Sequence, residues 1–233
     1  MALDIEYRSS PSPWVEGVWR SRSTDVATMT AVASPRWSLV LWEQASRAFG
    51  AVQGPGSRAA GAPVPEDATF FGIDFALGAT MPRLPVGGLV DGSAELPVVT
   101  RRSFWLDGSA WHRPGWDDAE EFVGRLVREG VLARDPLVAD VVRGAQPDLS
   151  PRSVQRRFVA STGLTPGTVR QIERARHAAV LLRHGVAIAD VVHGLGYYDQ
   201  PHLARSLSRF IGRTATSLRT GAGDEPLSLL YKT

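Results

Sequence analysis

The sequence predicts an α+β protein of two domains: a β-rich first half, expected to be a small sandwich or barrel, and an all-α second half with two helix-turn-helix units. Three observations favour this fold class. All seven Trp and 12 of the 16 Pro precede Ser150, which is typical of short strands joined by turns. The segment VADVVRG at 138–144 returns as IADVVHG at 188–194. Net charge also differs sharply between the halves.

Residues 1–115 are predicted to form the β-rich domain. Phe71, Ile73, Phe75 and Leu77 alternate with smaller or polar residues, so one face of that strand should be buried. Residues 54–65 are rich in Gly and Pro and are predicted to be a turn region. The aromatic residues form either a core or an apolar effector pocket, so no ligand-binding residue is assigned. The predicted strands are 28–32, 37–42, 48–53, 69–77 and 102–106.

A connecting helix is predicted within residues 116–134. Asp117 is the expected N-cap, acidic residues occupy the first turn, and Gly130 ends the helix, in agreement with the helix dipole. Its apolar stripe either packs onto its own domain or forms a dimer contact. The stripe consists of Phe122, Val123, Leu126 and Val127.

Each copy of the repeat leads into a second helical pattern with the same landmarks. Ser150, Arg156, Gly163, Thr165 and Arg170 of the first copy are followed 49 residues later by Asp199, Arg205, Gly212, Thr214 and Arg219. A short helix, a turn and a capped second helix describe the unit that places its second helix in the DNA major groove. This domain is predicted to span residues 135–221, with 222–233 as a tail.

The second helix of the first copy carries the groups suited to reading DNA bases. Ser150 and Pro151 fix its start as N-cap and first helical residue, and Val154 and Phe158 should point inward. The outer face then presents base-reading side chains flanked by groups suited to phosphate. The base-reading candidates are Arg152, Gln155 and Arg156, and the phosphate candidates are Ser153 and Arg157.

The corresponding helix of the second copy has fewer such groups. Asp199 is its predicted cap, and Leu203 and Leu207 should face inward. Pro201 and Ala204 stand where the first copy has Arg152 and Gln155. The DNA-binding candidates here are Gln200, His202 and Arg205, with His202 equally compatible with an ordinary surface residue.

A helix at 165–185 should join the two units. Its predicted buried stripe is Val169, Ile172, Ala175, Ala179 and Leu182. A helix of roughly 20 residues spans about 30 Å, close to the roughly 34 Å between successive major-groove faces.

Charge and composition limit the functions that this chain can have. Residues 150–219 hold 11 Arg and 3 acidic residues, a net charge of +8, whereas residues 1–149 carry −5. Such segregation is typical of a protein whose basic half binds nucleic acid. The absence of Cys excludes thiol chemistry, and five scattered His argue against a metal site. No apolar run could span a bilayer, so a cytoplasmic location, no membrane association and no cofactor are expected.

The second half resembles the DNA-binding domain of AraC-type transcription regulators. The resemblance rests on Ser150-Pro-Arg to Arg157-Phe158, on Gly163-Leu-Thr-Pro166, and on Leu195 to Leu203 with Gly212-Arg-Thr214. It implies two units that read adjacent major grooves, with base contacts at the six candidates named above. The chain departs from the family pattern at Ala215, where proline is usual, and in the enlarged turn at 146–148. Many family members carry a cupin-like sensing domain, although the His pair of metal-binding cupins is missing here.

These observations predict a sequence-specific DNA-binding regulator gated by a small molecule or by dimerisation. Its expected partners are promoter or operator DNA, a small-molecule effector, a second copy of the chain and, if it is an activator, RNA polymerase. Two alternatives stay open: a β-domain enzyme fused to a DNA-binding tail, for which no nucleophile or cofactor loop is found, and a first half that is purely an interaction module.

Overall fold

A computed structural model describes residues 2–24, 28–145, 147–221 and 226–228. A strand-rich part precedes a helical part, which confirms the predicted fold class. The strands are β1 (Ala2–Ser9), β2 (Val15–Thr24), β3 (Thr28–Ala31), β4 (Ser38–Gln44), β5 (Arg47–Gln53), β6 (Ala60–Pro63), β7 (Thr69–Phe75), β8 (Ala79–Thr80), β9 (Ser93–Glu95), β10 (Ser103–Leu106), β11 (Ser109–His112) and β12 (Ala133–Arg134). The α-helices are α1 (Ala119–Arg128), α2 (Pro136–Val142), α3 (Pro151–Thr162), α4 (Pro166–Arg183), α5 (Ile188–Gly194), α6 (Gln200–Phe210) and α7 (Ala215–Thr220).

The chain folds into two compact units that interleave along the sequence. Of the described residues, the first unit contains 2–24, 36–55, 65–145 and 147–166, and the second contains 28–35, 56–64, 167–221 and 226–228. The strands β3 and β6 therefore belong to the same unit as α5, α6 and α7. The contiguous domain boundaries predicted from the sequence do not follow this division.

The first unit is built on a six-stranded antiparallel sheet in the order β1-β2-β7-β4-β5-β9. The sheet has two edges, β1 and β9, so it is open and does not close into a barrel. Alternate residues of its strands point into one core, as the period of two requires. Phe71, Ile73 and Phe75 are buried as predicted, whereas Leu77 lies beyond the strand and is half-buried.

Aromatic side chains fill much of this core. The Trp37 ring stacks on Phe75 with centroids 3.8 Å apart, and its indole N–H donates to the Ala79 carbonyl at 2.7 Å. Trp111 meets Phe122 edge to face at 6.0 Å. These residues are core members. Trp105, by contrast, is 43% exposed.

The helix α1 closes the core of the first unit. Phe122, Val123 and Leu126 are buried in it, so the apolar stripe packs onto its own unit. The N-cap is Asp118 and not Asp117 as predicted. The Asp118 carboxylate accepts a hydrogen bond from the Gly115 N–H and caps no helical N–H. The Asp118 side chain thus binds the loop before the helix, and the helix begins one residue later than predicted.

The five predicted strands correspond to β3, β4, β5, β7 and β10. The prediction missed β1 and β2, which pair with each other over Ala2↔Thr24 to Ser9↔Gly17. It was also wrong for residues 60–63, predicted as turn, which form β6 and pair with β3. Small residues and Pro disfavour a strand locally, and the pairing with β3 overrides that preference.

Candidate nucleic-acid interface

The first helix-turn-helix unit consists of α2 and α3. The Ser150 Oγ accepts the Ser153 N–H at 3.2 Å, and Pro151 is the first helical residue. At the other end, Gly163 adopts a left-handed conformation with φ of 73°. The predicted start of α3 is therefore confirmed, and both its ends are fixed by local geometry.

The outer face of α3 presents three exposed polar side chains, Arg152, Gln155 and Arg156. Phe158 is fully buried on the opposite side, and Val154 is half-buried. The helix thus separates an inward apolar side from an outward polar one, as predicted. Ser153 is half-buried, and its hydroxyl oxygen accepts from the Ser150 hydroxyl at 2.9 Å, so it takes part in the cap of the helix.

Arg157 is held by Asp135, the N-cap residue of α2. The Arg157 Nε donates to the Asp135 Oδ2 at 2.9 Å, and the Ser161 hydroxyl donates to the same oxygen at 3.0 Å. The Asp135 Oδ1 accepts the Leu137 N–H. Burial alone would raise the pKa of Asp135, but these hydrogen bonds outweigh burial, and the pKa lies below its usual value. The carboxylate therefore stays charged and joins α2 to α3.

The second helix-turn-helix unit consists of α5 and α6. The Asp199 Oδ1 accepts the His202 N–H at 2.7 Å, which confirms the predicted cap. Leu203 and Leu207 are fully buried, as expected. Gln200 and Arg205 are exposed, as are Pro201 and Ala204 in the positions equivalent to Arg152 and Gln155. The outer face of α6 accordingly offers fewer hydrogen-bonding groups than that of α3.

His202 is tied into the turn before α6. It is half-buried, its Nδ1 accepts the Tyr198 N–H at 3.3 Å, and its ring lies edge-on to Tyr197 at 5.2 Å. The neighbouring residue Tyr198 is 91% exposed. Sequence reasoning did not single out Tyr198, although a second aromatic residue directly before a capped helix was a signal for it.

The long helix α4 buries all five residues of its predicted stripe. It also buries Arg176, which is only 7% exposed and which the sequence analysis did not identify. The departure at Ala215 leaves the next helix capped: the Thr214 hydroxyl accepts the Ser217 N–H, and the Ser217 hydroxyl oxygen accepts the Thr214 N–H. The other departure, at 146–148, includes Gln146, which lies outside the described residues.

Within the part of the chain that the structure describes, no three His, Asp or Glu side chains are grouped so as to hold a metal ion. No helix there is long and apolar enough to cross a membrane.

Comparisons with known proteins bear on the helical part. A family model described as "Helix-turn-helix domain" matches residues 145–221. The chain is also similar to the HTH-type transcriptional regulator RipA of Corynebacterium diphtheriae, with 39% identity over 70 residues. That similarity covers 30% of this chain and 21% of the relative, so the chain matches about a fifth of that protein's length. No solved structure matches the chain.

Proposed function

We propose that this chain, which carries an AraC-type helix-turn-helix domain at residues 145–221, is a sequence-specific DNA-binding transcription regulator. The observation that carries the proposal is the exposed trio on α3. Arg152, Gln155 and Arg156 project from one face of a helix whose opposite face is buried. Arg can bond guanine O6 and N7, and Gln can pair with adenine, so this face can read bases in the major groove.

The two recognition helices are proposed to contribute unequally. On α6 the candidate contacts are Gln200, His202 and Arg205, of which His202 already uses Nδ1 and its backbone N–H within the protein. Ser153 and Arg157 lie beside the reading face of α3 and are proposed to contact phosphate. The Arg157 Nε is bound to Asp135 while its side chain is 52% exposed, so the ion pair holds one edge of the guanidinium and leaves the side chain accessible for such a contact. Base discrimination should therefore be concentrated in the half-site of α3.

Selection of bound genomic fragments, followed by binding to the selected duplex at several salt concentrations, tests this function. The net charge of +8 on residues 150–219 should neutralise several phosphates and release their counterions. If about six phosphates are contacted, affinity should fall on the order of 10³-fold between about 50 and 200 mM salt. Failure to enrich any sequence, or binding that does not respond to salt, would contradict the proposal.

Control of DNA binding is proposed to lie in the strand-rich half, through a small-molecule effector or a second copy of the chain. An activator would in addition contact RNA polymerase. Ligand binding and DNA binding are thermodynamically linked if one gates the other. A metabolite that raises the melting temperature of the full chain should then also change its affinity for the selected duplex. A metabolite that stabilises the chain and leaves DNA affinity unchanged would argue for a scaffold role.

A further inference from the structure

The C-terminal end of α6 is capped by a hairpin from the strand-rich half. The hairpin consists of β3 and β6, paired from Thr28↔Pro63 to Ala31↔Ala60. Just beyond these strands, the Ala33 N–H donates to the Phe210 carbonyl and the Ala59 N–H donates to the Arg209 carbonyl, both at 2.8 Å. Carbonyls in the last turn of a helix have no partner within the helix. The hairpin supplies partners for two of them.

Arg176 of α4 attaches to the same hairpin. Its Nη1 donates to the Ala33 carbonyl at 2.8 Å, and the residue is buried. Burying a guanidinium is costly unless its N–H groups are hydrogen-bonded, and the hydrogen bond to the Ala33 carbonyl offsets part of that cost. Ala33 therefore binds α4 through its carbonyl and α6 through its N–H.

The turn after α6 also fits closely against the hairpin. Gly212 has a φ of 72°, and a Cβ added there would lie 2.9 Å from the Thr30 Cγ2 and 3.2 Å from the Ala59 Cβ. The Arg213 Nη1 donates to the Thr30 hydroxyl at 3.1 Å. The sequence therefore needs glycine at this turn for the backbone conformation and also for the approach of the hairpin.

The hairpin is continuous in sequence with the six-stranded sheet at all four of its ends. Strand β3 lies between β2 and β4 in the chain, and β6 lies between β5 and β7. The pairings Arg22↔Thr69, Thr28↔Pro63 and Ser38↔Gln53 follow one register. The strands that flank the hairpin in sequence, β2, β4, β5 and β7, belong to the six-stranded sheet.

We infer that the β3–β6 hairpin and Arg176 position the second recognition helix for DNA reading. Arg176 acts as a positioning residue, because its Nη1 binds the hairpin backbone and the residue is buried. The inference rests on the proposed function.

The test uses the full chain and the selected duplex, together with variants of the duplex altered in one half-site at a time. Arg176→Met keeps the length of the side chain and removes its hydrogen bonds. We expect about a tenfold loss of affinity for the selected duplex and a weaker preference at the bases read by α6, with the preference in the α3 half-site kept. Arg176→Lys should recover part of the loss. Arg183→Met, an exposed position on the same helix, should keep both preferences.

If Arg176→Met does not fold, a second and less disruptive variant tests the same inference. Thr30→Val is nearly isosteric and removes the hydroxyl that binds Arg213, so it should produce the same one-sided effect at about two- to threefold. Equal losses in both half-sites, or unchanged preferences in a folded Arg176→Met, would overturn the inference and leave the proposed function standing. Absence of sequence-specific binding by the unaltered chain would overturn both.

Discussion

Two adjacent arginines of α3 have different surroundings and should play different roles. Arg156 is exposed on the reading face, whereas Arg157 is held by Asp135 at 2.9 Å. Arg156→Ala should cost about 1–3 kcal/mol at its cognate base and relax the preference there, as loss of a bidentate guanine contact would. Binding to single-base variants of the selected duplex measures this. A uniform loss with unchanged preferences would make Arg156 a phosphate contact.

Arg157→Ala is the matched control for that measurement. It should weaken binding to all sequences alike and reduce the salt dependence by about one counterion, because a phosphate contact is lost. Asp135→Asn should give a smaller uniform loss, since it removes the charge that orients the guanidinium. A changed base preference in Arg157→Ala would contradict the assignment.

A pH-dependent prediction follows from Glu120 of α1. Its hydrogen bonds from Arg8 lower the pKa of Glu120 to about 2. A depressed pKa in the folded state means that the ion pair stabilises the fold fully above the ordinary carboxyl pKa, and that this stabilisation is lost as the pH falls towards 2. Glu120→Gln should therefore lower stability by about 1–2 kcal/mol at pH 7, allowing for partial solvent screening.

Thermal unfolding of Glu120→Gln and of the unaltered chain between pH 7 and pH 3 checks this prediction. The difference in melting temperature should shrink as the pH falls. Glu121→Gln, an exposed neighbour on the same helix, serves as the control and should change little. A difference that stays constant over the pH range would show that the charge of Glu120 is not the cause.

Individual residues were predictable where their signals are local. Ser150 directly precedes Pro151, Asp199 stands two residues before Pro201, and each comes before an apolar helical pattern. Both caps accept the expected N–H. Arg176 carried no such signal. It lies in an Arg-rich helix in which Arg170 and Arg183 are exposed, and its partner Ala33 is 143 residues away in the chain.

At the scale of elements, the C-terminal end of α3 depends on a close approach. A Cβ on Gly163 would lie 2.6 Å from the Gly87 carbonyl oxygen and 2.4 Å from the Val90 side chain. Gly163→Ala should therefore cost about 2–4 kcal/mol, combining backbone strain with steric overlap. Gly130→Ala has nearly the same φ and open space around it, so it should cost only about 1 kcal/mol. Urea unfolding of both variants measures the difference, and equal costs would exclude a role for the overlap.

Helices were predicted better than strands for a physical reason. Helix hydrogen bonds and caps lie within a few residues of each other, so the sequence of α3, α4 and α6 contains most of what fixes their bounds. The strands β1 and β2 depend on each other, and β6 depends on β3, about 30 residues earlier. Pairing at that distance leaves only a weak local pattern.

At the scale of the whole molecule, the sequence identified the contrast between an acidic strand-rich half and a basic helical half. It did not reveal that the hairpin of β3 and β6 belongs to the compact unit of α6. The net charge and the Trp and Pro content of the sequence change once along the chain, near Ser150. The chain, by contrast, passes from one compact unit to the other four times before that residue. Contacts between segments far apart in sequence decide this division, and composition does not record them.

The central claim is that the chain recognises a DNA sequence and not merely the charge of DNA. The most direct test compares its affinity for the selected duplex with its affinity for a shuffled duplex of equal length and composition, at one fixed physiological salt concentration. Specific binders of this kind favour their site by roughly 10³-fold or more, and we expect a ratio of that order. Equal affinity for the two duplexes would contradict the account, because the exposed faces of α3 and α6 would then serve only as a basic surface.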